Sequence, residues 1–281
     1  MNYDRINRGA LDYCLYHFGD GKHRFRGPRP DLSKPYCAFF GSTETYGKFI
    51  ERPFTQLLQQ RLGMTCANFA AVNAGVDMYL KDPALALVGD RSRLTVVAVT
   101  GAHNLSNRYY SVHPRRNDRF LGASRMLESL YREVDFSEIH FTRHLLATLA
   151  DANIVKFGLI VEELKLAWTA RMKTLLTGIK GPKVLLWMAG HAPGEPGLDH
   201  GKEVLNMNPL FVDQAMLDEL CPLVDRVVEV IWSDQADADG SDGMVFDAED
   251  ALAAAMMPGP RAHREAAELL EQKLGEMLNA K

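Results

Sequence analysis

The sequence predicts a single α/β domain, a three-layer αβα fold built around a parallel sheet. Short apolar segments such as Tyr36–Phe40 (YCAFF) and residues 94–100 (LTVVAVT) are typical of strands that are buried on both faces. Segments with helical periodicity alternate with these strands, which favours strand–helix units over an antiparallel sheet. The 281 residues, of which 47% are hydrophobic, suffice for one large core without disulfides or metals.

The first part of the chain is an irregular arm followed by two short strands. Residues 1–35 form a basic N-terminal arm, because repeated Gly and Pro residues interrupt any long helix. The strand Tyr36–Phe40 leads into a glycine-containing turn. Residues 53–62 have a helical pattern that ends at Gly63. Residues 69–72 are predicted as the second strand.

The rest of the chain contains an Arg-rich insertion, at about residues 105–150, after the strand 94–100. Within it the sequence Asp-Phe-Ser-Glu at 135–138 is a capping box that predicts a helix running to about residue 150. A long amphipathic helix is predicted at 153–179. The remaining predicted elements are a strand at 183–188, a helix near 210–221, a strand at 227–232, an acidic loop at 234–250 and a helix at 261–278.

Charge is distributed unevenly along the chain. The formal net charge is −4, which gives no reason to expect a nucleic-acid partner. Residues 1–36 nevertheless hold seven Lys or Arg against four Asp, and residues 108–132 hold six Arg against two acidic residues. A local positive field of this kind attracts a small anionic substrate.

The sequence indicates a cytoplasmic protein without a membrane span. No apolar run approaches the 18 residues that a transmembrane helix needs, and the first 18 residues lack the apolar core of a signal peptide. The four cysteines have no metal-like spacing and lie among apolar or aromatic neighbours. We therefore expect buried free thiols at Cys14, Cys37, Cys66 and Cys221.

Three polar loops follow the predicted strands, and they are the main functional signal. They are residues 41–47 (GSTETYG), 73–75 (NAG) and 101–104 (GAHN). Because parallel strands end at one edge of the sheet, we expect these loops to meet at a single cleft.

The order of these motifs resembles the SGNH (GDSL-type) hydrolase superfamily over about residues 36–278. The first block of that family is G-D-S-x-T-x-G. Gly41, Thr45 and Gly47 match it, whereas Ser42 replaces the Asp and Thr43 replaces the nucleophilic Ser. The chain also resembles an uncharacterised family of bacterial proteins. The SGNH resemblance implies a flavodoxin-like strand order.

The third block of the family, G-x-N-D, corresponds to 101–105, where Asn104 matches and Leu105 replaces the Asp. The resemblance implies that Thr43 holds the nucleophile position. It also implies an oxyanion hole made by the backbone N–H of Gly75 and the side-chain amide of Asn104. Such donors stabilise the negative charge that develops during acyl transfer.

The catalytic His and Asp of the family are missing from this chain. The family has D-x-x-H-P before its last helix, and here Met257 and Ala254 stand at the His and Asp positions, although Pro258 and His263 match. A Thr hydroxyl without a base is a weak nucleophile. The best substitute base is His103, beside Asn104. His191 and His113 are other candidates.

A cluster of basic residues after the third loop predicts an anion clamp. Arginine forks bind phosphate, sulfate or carboxylate in bidentate geometry. The alternative is a surface turn in which the arginines pair with Asp118. The predicted anion-binding residues are Lys48, Arg108, His113, Arg115, Arg116 and Arg119.

These observations favour an SGNH-like enzyme with a rebuilt active site, of transferase or esterase type, acting on a small anionic, acylated or glycosylated substrate. No cofactor is implied. No metal site is predicted either, because His140 and His144 lack a third ligand. One alternative is a non-catalytic ligand-binding protein with the same pocket. Another is a sulfo- or phosphoryl transferase that uses a nucleotide donor. The oligomeric state stays open.

Overall fold

A computed structural model describes residues 11–21, 23–194, 205 and 207–279. Residues 1–10 and 22 of the predicted basic arm, and most of 195–206, therefore lie outside the described residues. The strands are β1 (Tyr16–His17), β2 (Arg24–Phe25), β3 (Tyr36–Phe40), β4 (Thr65–Asn68), β5 (Leu94–Ala98), β6 (Tyr110–His113), β7 (Arg116–Ala123), β8 (Lys183–Ala189) and β9 (Arg226–Ile231).

The helices alternate with the strands of the main sheet. They are α1 (Thr43–Tyr46), α2 (Phe54–Leu62), α3 (Val76–Leu80), α4 (Pro83–Arg91), α5 (Arg125–Leu130), α6 (Thr142–Ala152), α7 (Ile154–Gly178), α8 (Gln214–Leu220), α9 (Asp234–Asp239), α10 (Ala251–Ala254) and α11 (Pro260–Asn279). No helix in the described ranges is both long and apolar enough to cross a membrane.

The central sheet has five parallel strands in the order β4-β3-β5-β8-β9. Counted along the chain, this order is 2-1-3-4-5, which is the flavodoxin-like order. The predicted α/β class with a parallel sheet is therefore confirmed. The chain adds β4 on one side of β3 and then β5 on the other side, so the strand order reverses between β3 and β5. Ligands of open α/β sheets bind at such a switch point.

Both faces of the sheet are buried, as continuous apolar strands require. Side chains alternate between the faces along each strand. Phe40 and Trp187 point into a core shared with α3, α4, α7 and α8. Phe39 and Leu186 point into a second core shared with α2 and α11. A layer of helices therefore covers each face of the sheet, which gives the three layers of the predicted αβα fold.

The second strand lies earlier in the chain than predicted. It is Thr65–Asn68, and residues 69–72 are loop. Phe69 is fully buried against Phe25 and Phe40. Its apolar character therefore reflects core packing by a loop residue, not membership of a strand. An apolar run alone does not distinguish these cases.

The predicted helix start at 135–138 is also wrong. The Asp135 carboxylate accepts the N–H of Ser137 in a local turn, and α6 begins only at Thr142. Aspartate forms such turns as readily as it caps helices. The 105–150 segment instead contains the antiparallel pair β6–β7, then α5, before α6.

Two further expectations need correction. Cys37 and Cys66 are buried free thiols, but Cys14 and Cys221 are exposed, because both lie outside the sheet. The acidic segment 234–250 is not a plain loop, since it contains α9. Ser233 caps this helix by accepting the N–H of Ala236.

Candidate functional site

The three predicted loops meet at one cavity at the carboxyl edge of the sheet. Its volume is about 220 Å³. The turn after β3 contributes Ser42, Thr43 and Lys48 to its lining, and the loop after β5 contributes His103 and Asn104. Five of the sequence-predicted site residues therefore lie around one space, as the parallel topology requires.

Hydrogen bonds join the loops behind this cavity. The Thr43 hydroxyl accepts the N–H of Asn73 at 2.9 Å and donates to the Asn73 side-chain oxygen at 3.2 Å. The Asn104 amide donates to the Asn73 carbonyl at 3.2 Å. Its oxygen accepts the Thr142 hydroxyl at 2.7 Å. Thr43 therefore has an amide as its partner, and an amide is not a base.

Gly75 lies against Asn104 but does not line the cavity. A side chain at Gly75 would place its Cβ 1.8 Å from the Asn104 carbonyl oxygen, so only glycine permits this approach. Its N–H donates to the Asn117 side chain at 2.9 Å in a buried contact. The oxyanion-hole role expected for Gly75 therefore does not fit this structure, because its donor is already bound.

His103 is the imidazole of the cavity wall. The residue is 6% exposed, and its Nδ1 has no hydrogen-bond partner in the part of the chain that the structure describes. A Cβ at Gly101 would lie 2.7 Å from that nitrogen, so the glycine makes room for the ring. The Tyr110 hydroxyl holds the His103 carbonyl at 2.6 Å. Burial, and then the nearby Arg143 charge, keep the pKa of His103 well below its usual value.

Two charged residues that the sequence interpretation did not select also line the cavity, namely Glu44 and Arg143. Burial raises the pKa of Glu44, while its own backbone N–H and Arg143 oppose this rise. Burial lowers the pKa of Arg143, and Glu44 opposes that shift. Glu44 could have been predicted as a site residue, because it belongs to the GSTETYG motif that follows a buried strand. No sequence signal pointed to Arg143, because α6 is distant in sequence from the three loops.

Arg143 is positioned by the start of α6. Its neighbour Thr142 is bound to Asn104, as described above. The Arg143 guanidinium donates to the carbonyl of Leu205 and, at 2.6 Å, to the side-chain oxygen of Asn208. The lining of the cavity also has an apolar part, which includes Met188, Met256 and Met257. Met257 therefore presents a thioether where the family resemblance expects a catalytic His.

The predicted arginine clamp is not at the cavity. Arg108 is bound to Glu163, with its Nε 2.7 Å from the carboxylate. Arg116 lies 3.7 Å from Asp118, as the surface-turn alternative expected. Arg119 stacks over Phe141, and Arg115 lies in the β6–β7 turn. The β6–β7 hairpin contacts the site loops through Asn117 and Asp118, but the side chains of its arginines do not line the cavity.

The other candidate histidines have structural partners. His113 Nδ1 accepts the N–H groups of Arg115 and Arg116 in the hairpin turn. Both nitrogens of His191 contact backbone carbonyls, those of Ala192 and Asn208. His113 and His191 are therefore not free to act as bases at the cavity.

Metal ligation has no support in the part of the chain that the structure describes. No group of three His, Cys, Asp or Glu there is arranged to hold an ion. His140 precedes α6 and does not share that helix with His144.

The chain was compared with known families and proteins. A family model described as "Domain of unknown function (DUF6473)" matches residues 1–278. No curated protein matches the chain.

Proposed function

Because the chain belongs to the DUF6473 family, whose description assigns no activity, we propose its function from the cavity itself. The protein is an SGNH-like enzyme of transferase or esterase type with a rebuilt active site, and its substrate is a small anionic or acylated molecule. The observation that carries this proposal is the buried His103 imidazole, which lines the cavity and whose Nδ1 has no hydrogen-bond partner among the described residues. A buried polar atom without a partner is unfavourable and calls for a bound water, a ligand or a functional role.

His103 is the group that accepts the proton. Its lowered pKa leaves the ring neutral at neutral pH, so one nitrogen is available as an acceptor. His103 takes the proton of an attacking hydroxyl, and it then returns that proton to the leaving oxygen. A ring with a low pKa is a weak base, which favours a substrate whose hydroxyl is itself acidic or polarised.

The attacking hydroxyl belongs to water or to an acceptor molecule rather than to Thr43. The Thr43 hydroxyl is bound in both directions by Asn73. Asn104 supports the reaction instead, because an amide has two N–H donors and only one is bound to Asn73. The second donor is available to a carbonyl oxygen that becomes negative during the reaction.

The test is turnover of short-chain p-nitrophenyl esters, with and without an added alcohol acceptor, by the full chain. We expect His103→Gln to lose at least about a hundredfold in kcat/KM, the usual range for a general base. Thr43→Val should retain activity. His113→Gln is the matched control, because that ring lies outside the cavity. Full activity in His103→Gln, or loss only in Thr43→Val, would reject the proposal.

A non-catalytic binding protein is the second candidate. Three observations favour it: the engaged Thr43 hydroxyl, the engaged Gly75 N–H, and Met257 at the expected His position. A protein that is stabilised by small anions but turns over no ester or acceptor pair would establish this alternative. A nucleotide-dependent transferase has less support, because 220 Å³ is below the usual volume of pockets for larger ligands.

A further inference from the structure

Among the described residues, the Arg143 guanidinium at the cavity donates hydrogen bonds only to uncharged groups. Its guanidinium donates to the oxygens of Leu205 and Asn208, both of them uncharged. No carboxylate lies within ion-pair distance of Arg143 among the residues that the structure describes. A partly buried cation without an anion is unfavourable, and it attracts an anionic ligand to complete its coordination.

Glu44 is the acid that lines the cavity, and its charge acts on Arg143 without a direct ion pair. Its carboxyl is bonded to its own backbone N–H, and no ion pair joins it to Arg143. Burial raises the pKa of the Glu44 carboxyl, which favours its protonated form, although Arg143 opposes this rise. In its protonated form it donates a hydrogen bond instead of repelling an anion.

Other charged or titratable groups lie at the cavity or contact its lining. Lys48, from the same turn, lies 3.7 Å from Asp250. His103, from the loop after β5, is neutral. Asp118, from β7, is bound to Asn73 and lies 3.7 Å from Arg116. When Glu44 is protonated, no acid that lines the cavity among the described residues therefore matches the charge of Arg143.

We propose that Arg143 and Glu44 form an anion subsite that binds a small organic monoanion, a carboxylate or a sulfonate. The ligand oxygens accept from Arg143 and from the protonated Glu44 carboxyl. The apolar part of the ligand lies against Met188 and Met257. This inference rests on the proposed function only in taking the same cavity as the ligand site, and it does not require turnover.

Binding of the anion is coupled to uptake of a proton by Glu44. An anion beside the carboxyl favours the protonated form further, so the complex holds a proton that the free protein partly lacks. Affinity then rises as the pH falls through the range in which Glu44 titrates, by up to about tenfold per pH unit. A sulfonate keeps its own charge in that range, so the pH dependence belongs to the protein.

The experiment is calorimetric titration of the full chain with propane-1-sulfonate and with butyrate between about pH 5 and 8. Buffers that differ in ionisation enthalpy report the number of protons taken up. We expect each binding event to take up a fraction of a proton, and this fraction approaches one as the pH rises and Glu44 of the free protein ionises. Arg143→Gln should weaken binding at least about tenfold, since charge-assisted hydrogen bonds are lost. Arg125→Gln, on the exposed side of α5, is the matched control.

Glu44→Gln provides the decisive variant, because its amide still donates but does not titrate. We expect it to bind at every pH with the affinity that the wild type reaches at low pH, without proton uptake, even if Arg143→Gln fails to fold. Absence of binding, or wild-type binding without proton uptake, would overturn the subsite. Anion binding by a protein without esterase activity would support the subsite and reject the proposed chemistry. Esterase activity without anion binding would do the reverse.

Discussion

At the scale of single residues, the site depends on how closely two loops approach each other. Gly75 has its backbone against the Asn104 carbonyl, and Asn104 in turn holds Asn73 and Thr142. One residue thus sets the distance between the turn that binds Thr43 and the loop that carries His103. The absence of a side chain at position 75 is what permits this close approach.

We predict opposite effects for two Gly→Ala substitutions. Gly75→Ala should reduce the free energy of unfolding by about 1–3 kcal/mol and weaken ligand binding, because the new methyl group forces the loops apart. Gly158→Ala, on α7 with no atom within 4 Å of its Cβ, should raise that free energy by about 0.5–1 kcal/mol. Urea unfolding of both variants checks this, and equal shifts would contradict it.

At the scale of elements, the segments around the sheet act as supports for the site. The 105–150 insertion supplies Tyr110, Asn117 and Thr142, which hold His103, Gly75 and Asn104 respectively. The arginines that drew attention to this insertion lie elsewhere on it. Its contribution is to position the loops, and through α6 it also provides Arg143.

The N-terminal arm supports the same turn from the other side. Arg26 follows β2, and its guanidinium donates to the carbonyls of Gly47, Ile50 and Glu51 at 2.6–2.7 Å. The ring of Tyr13 lies 5.2 Å from this guanidinium. The buried Arg26 is therefore a structural clamp at the end of α1, and the positive charge of the arm does not reach the cavity at this residue.

We predict that Arg26→Met lowers the free energy of unfolding by about 3 kcal/mol or more. It would leave several carbonyls without a donor, at about 1–3 kcal/mol for each group that stays buried. Arg24→Met, in the exposed position of β2, should change stability by less than about 0.5 kcal/mol. Chemical denaturation of the two variants measures the difference, and similar losses would show that the clamp is unimportant.

At the scale of the whole molecule, two neutral histidines are buried at different places. His103 lies at the cavity, and His263 lies between α11 and α2. His263 Nδ1 accepts the Phe54 N–H at 3.1 Å, and the two rings stack. Burial lowers the pKa of His263 to about 3. Both histidines must remain neutral for the native packing to persist.

We therefore predict that stability falls on acidification. The folded pKa of His263 is below its usual 6.5, so the unfolded chain binds the proton first. The contribution is fully present above about pH 6.5 and is lost as the pH falls toward 3, by up to about 1.4 kcal/mol per pH unit.

His263→Gln should make this slope shallower by nearly one proton, as measured by urea unfolding at a series of pH values. His113→Gln, in an exposed turn, should leave it unchanged. A slope that is equal in wild type and His263→Gln would show that His263 is already charged in the folded protein.

Sequence patterns predicted the elements whose signal is local. The apolar runs of β3, β5 and β8 and the long periodicity of α7 identified strands and a helix with small errors at their ends. The predictions were wrong where the same local sequence pattern is compatible with two structures. Phe69 is apolar in a loop, and Asp135 makes a turn rather than a helix cap.

The sequence by itself determined that three polar loops share an edge of a parallel sheet, because strand direction and order bring strand ends together. It therefore located Ser42, Thr43, Lys48, His103 and Asn104 correctly at one cavity. Only the tertiary structure decided which charges face that cavity. Arg143 reaches the cavity from α6, while the arginines nearer in sequence do not line it, because side-chain proximity depends on packing between distant segments.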